Sequence, residues 1–316
     1  MTVVRRTAIL GSLGALASAA GFYLFLSRSP SADSVRARLS GRVPAPTGPL
    51  SVYHLGHSLV NRDMPAMLAQ LAPKGHGYAS QLGWGTTLKA HWGDAEITGF
   101  DAENAHPHFR PAHEAVDSGD YDAIVLTEMV EIRSAIRYFD SATYLALWAE
   151  KALASRPDVR LYLYETWHQL DDPEGWLERV DRDHERYWLR QVLGPALRKL
   201  PGGAQIHLIP AGPVLAAFVR AVEARGGVGN VRDRSDLFAR NEDGSQDVIH
   251  LNDLGNYLVA LVHFTVLYHE SPVGLPHALR RADGTSAQAP NPEAALLMQE
   301  VTASVVHTLG LSGTAT

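Results

Sequence analysis

The chain has 316 residues, 46% of them hydrophobic and 20% charged, a composition of globular proteins rather than of disordered or fibrous ones. Lys and Arg number 28 against 34 Asp and Glu, for a formal net charge of -6, so there is no basic footprint for nucleic acid and none is expected as a partner. The absence of cysteine excludes disulfides, thiolate nucleophiles and Cys-ligated metals.

Residues 1–30 read as a signal peptide or a signal anchor. The short basic start "MTVVRR" precedes an uncharged run, Thr7 to Leu26, about long enough to cross a bilayer as a helix. Ala17-Ser18-Ala19 offers a small-residue cleavage pattern, yet Gly21 to Leu26 continues the apolar run beyond it, so cleavage and retention both stay open. Arg5 and Arg6 place the N-terminus in the cytoplasm and the rest outside. The expectation is an exported protein, periplasmic or extracellular, held at the membrane by this segment if it is not cleaved. Residues 31–48, rich in Ser, Pro, Ala and Arg, read as a linker, and 49–312 as the globular domain.

Along that domain, apolar runs alternate with helical patterns. "SVYHL" from Ser51 is a strand, and "MPAMLAQLA" from Met64 a helix with Pro65 early, where a helix tolerates it. "YASQLG" is a second short strand, followed by a glycine-containing loop and a polar stretch over 89–113. "YDAIVLTE" from Tyr121 is the kind of run found in buried parallel strands. "SATYLALWAEKALASR" reads as a helix with Ser141 at its N-cap. "DVRLYLYETW" is the next strand, and the helical segment from Gly175 to Leu200 is expected to break near Gly194-Pro195. "AQIHLIPAGPVLAAFVRAV" gives strand, turn and helix, and a final long helix starts at Asn252. The alternation predicts an α/β fold, a three-layer α/β/α sandwich with a central parallel sheet.

Chemistry in such sheets collects at the carboxyl ends of the strands. Gly56-His57-Ser58, Gly83-Trp84-Gly85, Thr127-Glu128 and Glu165-Thr166-Trp167 all stand at predicted strand ends, where they can share one crevice. Ser58 is either a helix N-cap or a nucleophile. As a nucleophile it needs a base, and the base an orienting carboxylate. "DVIHLNDLG" supplies both: Asp247 stands three residues before His250, so carboxylate and imidazole can meet within one turn of chain, on a loop ahead of a helix.

At this point the sequence resembles the SGNH (GDSL-type) serine hydrolase family. Gly56-His57-Ser58-Leu59 is similar to its nucleophile block, and Asp247-Val248-Ile249-His250 to its terminal Asp-x-x-His block. Gly85, in "QLGWGTTL", stands where the family's glycine donates a backbone N–H to the oxyanion hole. The resemblance implies a flavodoxin-like sandwich without cofactor, with Ser58, His250 and Asp247 as triad and the N–H groups of Ser58 and Gly85 as oxyanion donors. It implies a serine esterase acting on acyl or acetyl esters of small molecules or carbohydrates. One departure stands out. The strand that should end in a donor asparagine ends in Thr127-Glu128-Met129, and an ionised glutamate cannot donate a hydrogen bond.

Two other readings use the same residues: acyl transfer to a polysaccharide hydroxyl, and a non-catalytic envelope-associated binding protein that keeps the fold. His57, Trp84, Glu128 and Trp167 are candidates for touching substrate. Glu128 and Glu165 are equally placed to pair with Arg133 or Arg137. His106-Pro107-His108 with His113 invites a metal, but no companion carboxylate pattern accompanies it, so it reads as a polar surface loop and no metal site is assigned.

Overall fold

A computed structural model describes residues 29–93 and 95–314, so the apolar segment Thr7 to Leu26 lies outside the described residues. No helix among the described residues is long and apolar enough to cross a membrane.

Five strands form one parallel sheet: β1 (Ser51–Leu55), β2 (Gly77–Gln81), β3 (Ala123–Thr127), β4 (Arg160–Glu165) and β5 (His207–Pro210), in the order β2-β1-β3-β4-β5. The sheet is the α/β/α core expected from the alternating pattern. β3 is buried along its whole length, as a strand covered on both faces must be. The pleat sends alternate side chains to opposite faces. Val52, Val125, Tyr162 and Tyr164 enter one core, against α2 (Asp63–Leu71), α10 (Ala211–Glu223), α11 (Asp253–Tyr268) and α12 (Pro292–Leu309). Tyr53, Leu55, Ile124, Leu126, Leu161 and Leu163 enter the other. There they meet α1 (Ala32–Leu39), α5 (Ala112–Ser118), α7 (Ser141–Ser155) and α9 (Gly194–Lys199).

Strand order sets the position of the site. From β1 the chain crosses to β2 on one side, and from β2 it returns to β3 on the other. The connections therefore part at the carboxyl ends of β1 and β3, the place where open α/β sheets form a crevice.

Five expectations are corrected. Part of the expected linker belongs to the packed domain: α1 is capped by Ser31 and buries Val35 and Leu39 in the second core. The helix from Asn252 is not the final one, since α12 follows it, and the polar stretch 89–113 carries the short helices α3 (Leu88–Trp92) and α4 (Phe100–Asn104) and the start of α5. Helix α8 (Trp176–Asp183) runs on through a π-helical stretch, His184–Leu193, into α9 without a break at Gly194-Pro195. The wider turn hands the Gly194 N–H to the Leu189 carbonyl, and Pro195 then stands at the head of α9, where its missing N–H costs nothing. Ser141 is the first residue of α7 rather than its cap, which is Asp140.

Candidate active site

The turn after β1 begins with a close approach. A Cβ added to Gly56 would stand 2.7 Å from the Thr127 Cβ on β3, so only glycine lets the two strand ends pack. The chain then reverses, with the Val60 N–H donating to the His57 carbonyl at 2.9 Å, and this lifts Ser58 onto the crevice. Ser58 caps no helix. The cap of α2 is made by the Asn61 side chain, whose Oδ1 accepts from the N–H groups of Asp63 and Met64 at 2.7 and 3.0 Å. Of the two readings of Ser58, the capping one loses its helix.

Asp247 and His250 lie on a strand rather than a loop: β7 (Gln246–Leu251), paired antiparallel with β6 (Phe238–Arg240). The β4 exit holds this hairpin over the sheet. Trp167 Nε1 donates to the Ile249 carbonyl at 2.8 Å, and the Leu170 N–H to the Val248 carbonyl at 2.6 Å.

The three side chains form one relay. His250 Nε2 is 3.0 Å from Ser58 Oγ, and His250 Nδ1 is 2.8 Å from Asp247 Oδ2. Asp247 Oδ1 accepts the N–H groups of Ile249 and His250 at 2.8 and 2.9 Å, so the carboxylate is aimed by its own turn. Burial disfavours its charge, but the backbone N–H groups of His250 and Ile249, with the His250 ring, outweigh this and hold its pKa below the usual carboxylate value. A charged Asp247 keeps the proton on Nδ1 and leaves Nε2 as the acceptor facing Ser58.

Gly85 takes a left-handed conformation, φ +56°, in the loop after β2, where a side chain would be strained. The Ser58 and Gly85 backbone N–H groups donate to no other protein group among the described residues, and both residues line the same cleft.

That cleft measures about 610 Å³. Ser58 and His250 stand in it with His57, Asn61, Asp63, Trp84, Glu103, Gln169 and Asn256, while Trp167 forms part of the wall. Trp84 is 55% exposed, and its Nε1 donates to Glu103 Oε1 at 2.8 Å, which fixes the ring at the rim. A second cavity, about 710 Å³, also has Trp84 in its lining.

Of the four residues expected to touch substrate, Trp84, Trp167 and His57 line the cleft and Glu128 does not. His57 is almost wholly buried: its Nδ1 accepts the Leu59 N–H at 3.3 Å and its Nε2 donates to the Glu128 carbonyl at 2.9 Å. Burial lowers its pKa to about 4, so the ring is neutral and braces the turn. The Glu128 carboxylate is fully buried and accepts N–H groups instead of meeting a substrate, and its pKa is pushed up to about 7 by burial. Neither glutamate pairs with Arg133 or Arg137; Glu165 meets His184 Nδ1 at 2.8 Å.

Sequence reasoning missed three supports. His91 Nε2 donates to the Gly56 carbonyl at 2.7 Å, and Gln81 Nε2 donates to His91 Nδ1 at 2.9 Å, locking the end of β1 from beneath. Arg179 is 2% exposed and joins Glu131, Asp172 and Asp183, tying together the two loops that bring Val130 and Gln169 to the cleft. The His91 bond ends on a backbone carbonyl and Arg179 reaches Glu131 across 48 positions, and neither leaves a motif. His108 stacks on Tyr78 and His113 bonds the Trp92 carbonyl. Among the described residues no group of three or more His, Asp or Glu is placed to hold a metal ion.

No protein-family model matches the chain, and no curated protein does. A solved structure to which it is similar is a DUF4886 family protein from Bacteroides uniformis, 14% identical, covering 82% of this chain and 95% of that one, with a TM-score of 0.45.

Proposed function

We propose that the protein is a serine esterase of the SGNH type, cleaving acyl or acetyl esters by a Ser58-His250-Asp247 triad. The observation behind this reading is the unbroken relay from Ser58 Oγ through His250 to Asp247, at 3.0 and 2.8 Å, opening on a cleft large enough for a small ester.

The chemistry follows from the geometry. Ser58 Oγ attacks the ester carbonyl as its proton passes to His250 Nε2, and the carbonyl oxygen becomes an oxyanion held by the Ser58 and Gly85 N–H groups. Asp247 stabilises the imidazolium. The tetrahedral intermediate collapses, the C–O bond to the alcohol breaks, and His250 returns its proton to the departing alkoxide. Water, deprotonated by His250, then attacks the acyl-enzyme and releases the carboxylic acid and free Ser58.

The cleft also bears on the alcohol half of the substrate. Asp63 and Glu103 line it, with Asn61, Gln169 and Asn256, and among the described residues no Lys or Arg side chain does. Such a wall favours an uncharged, hydroxyl-bearing alcohol over an anionic one, and the half-exposed Trp84 offers a face for a sugar ring. Retained ester hydrolysis in folded Ser58→Ala protein would end this reading; the expected result is turnover of short-chain p-nitrophenyl esters by the native chain and none above background by the variant.

A further inference from the structure

We propose that Glu128 is a positioning residue that holds both halves of the oxyanion hole in register. Its carboxylate pins the Gly85 loop and its carbonyl pins the Ser58 turn. The proposal rests on the esterase reading of the site.

Glu128 follows β3, which lies beside β1 in the sheet. One carboxylate oxygen, Oε1, accepts the Met129 N–H at 2.8 Å and the Leu88 N–H at 3.3 Å. Leu88 opens α3, three positions after Gly85. It is held on its other side as well, because its carbonyl accepts from Trp148 Nε1 at 3.0 Å. The loop that presents the Gly85 N–H is therefore anchored at the Glu128 carboxylate. The Glu128 carbonyl, in turn, accepts the His57 ring N–H at 2.9 Å, and His57 directly precedes Ser58. One residue thus ties down the two chain segments that bring Ser58 and Gly85 to the cleft.

The arrangement explains the departure from the family pattern. A side chain here turns away from the cleft and orders the backbone donors, instead of donating itself. It is a costly device: the carboxylate is wholly buried, with the neighbouring Ser141 hydroxyl beside it in place of water. Burial raises the Glu128 pKa accordingly. A residue needed only for packing would do better as an apolar side chain of the same size.

The test compares the full chain with Glu128→Gln, Glu128→Asp and Glu128→Ala on p-nitrophenyl acetate, with melting curves to establish folding. Glutamine keeps an acceptor oxygen at the same reach; aspartate keeps the charge but withdraws it from Leu88. The expected result is a kcat for Glu128→Gln within about threefold of native. For Glu128→Asp and Glu128→Ala a kcat lower by about 10- to 100-fold is expected, with KM little changed, since misaligned oxyanion donors weaken only transition-state binding. A role in stability alone would move the melting temperature and leave kcat of the folded protein in place. Folded Glu128→Asp or Glu128→Ala protein turning over at the native rate overturns the proposal, and so does Glu128→Gln as slow as alanine. If alanine does not fold, aspartate against glutamine decides. A native protein that hydrolyses no ester and takes no fluorophosphonate on Ser58 overturns the esterase reading and this proposal with it, whereas a reactive native protein with unaffected variants overturns this proposal alone.

Discussion

Ser58 Oγ and His250 Nε2 lie 3.0 Å apart although 192 positions separate them in the chain. The sheet brings one and the β6-β7 hairpin the other. The contact survives only if both supports hold, which makes the site open to tests at several points.

Asp247 holds His250 in the tautomer that leaves Nε2 free to accept. Asp247→Asn keeps the shape but offers an amide that can donate to Nδ1, turning the ring's proton to the wrong nitrogen. We expect kcat for ester hydrolysis to fall by about 10³- to 10⁴-fold with little change in melting temperature. Steady-state kinetics of the purified variant read this directly, and a loss below tenfold would remove Asp247 from the mechanism.

At Gly85 the left-handed backbone, φ +56°, is the constraint, because a Cβ there meets open space. Gly85→Ala should cost about 1–2 kcal/mol in stability through backbone strain alone. If the loop relaxes away from the left-handed conformation, the donor is lost, and kcat falls by about 10²-fold or more. Chemical denaturation and kinetics on one preparation separate the two effects.

Trp84 is expected to act on binding rather than on bond breaking. Its ring is half exposed at the rim and touches neither Ser58 nor His250 by any hydrogen bond. Trp84→Ala should raise KM for an acetylated sugar by about tenfold with kcat nearly unchanged, and leave p-nitrophenyl acetate largely unaffected. Equal losses on both substrates would place Trp84 in the chemistry or in the fold.

Stability should depend on pH in a definite direction. His57, His91 and His263 are fully buried, and burial lowers each pKa from 6.5 to about 4. Between those values the unfolded chain binds the protons and the folded chain does not, so stability is lost as pH falls from about 6.5 towards 4, by up to roughly 3 kcal/mol for each ring. Glu128 works the other way. Its pKa rises from 4.5 to about 7, so its burial weakens the fold as pH climbs through that window. Urea denaturation at pH 5 and pH 7.5 should show the native protein weaker at pH 5, and the stability of Glu128→Gln relative to native should grow between the two.

Much of this was legible in the sequence, for physical reasons. β3 could be read as a buried parallel strand because its run Ala123–Thr127 is apolar and covered on both faces of the sheet. Asp247 and His250 could be paired because a short spacing constrains two side chains whatever the backbone does. Other features had no such signal. The α1 helix buries Val35 and Leu39 among charged neighbours, and its composition looked like a linker. The side of the strand end to which Glu128 turns depends on register at β3, which no local pattern encodes. The Gln81-His91-Gly56 brace ends on a backbone carbonyl, and such an acceptor exists at every residue. Helix α12, near the C-terminus, had no place in the expected element order, yet its Ala294 and Met298 are core residues.

The central claim is that Ser58 is an activated nucleophile, and the most direct measurement is reaction of the folded protein with a fluorophosphonate probe, with the label located by peptide mass spectrometry. The account predicts a single phosphonylated residue, Ser58, and loss of the label in His250→Ala. A folded protein that takes no label, or takes it elsewhere, would contradict it and favour a binding protein built on the same fold.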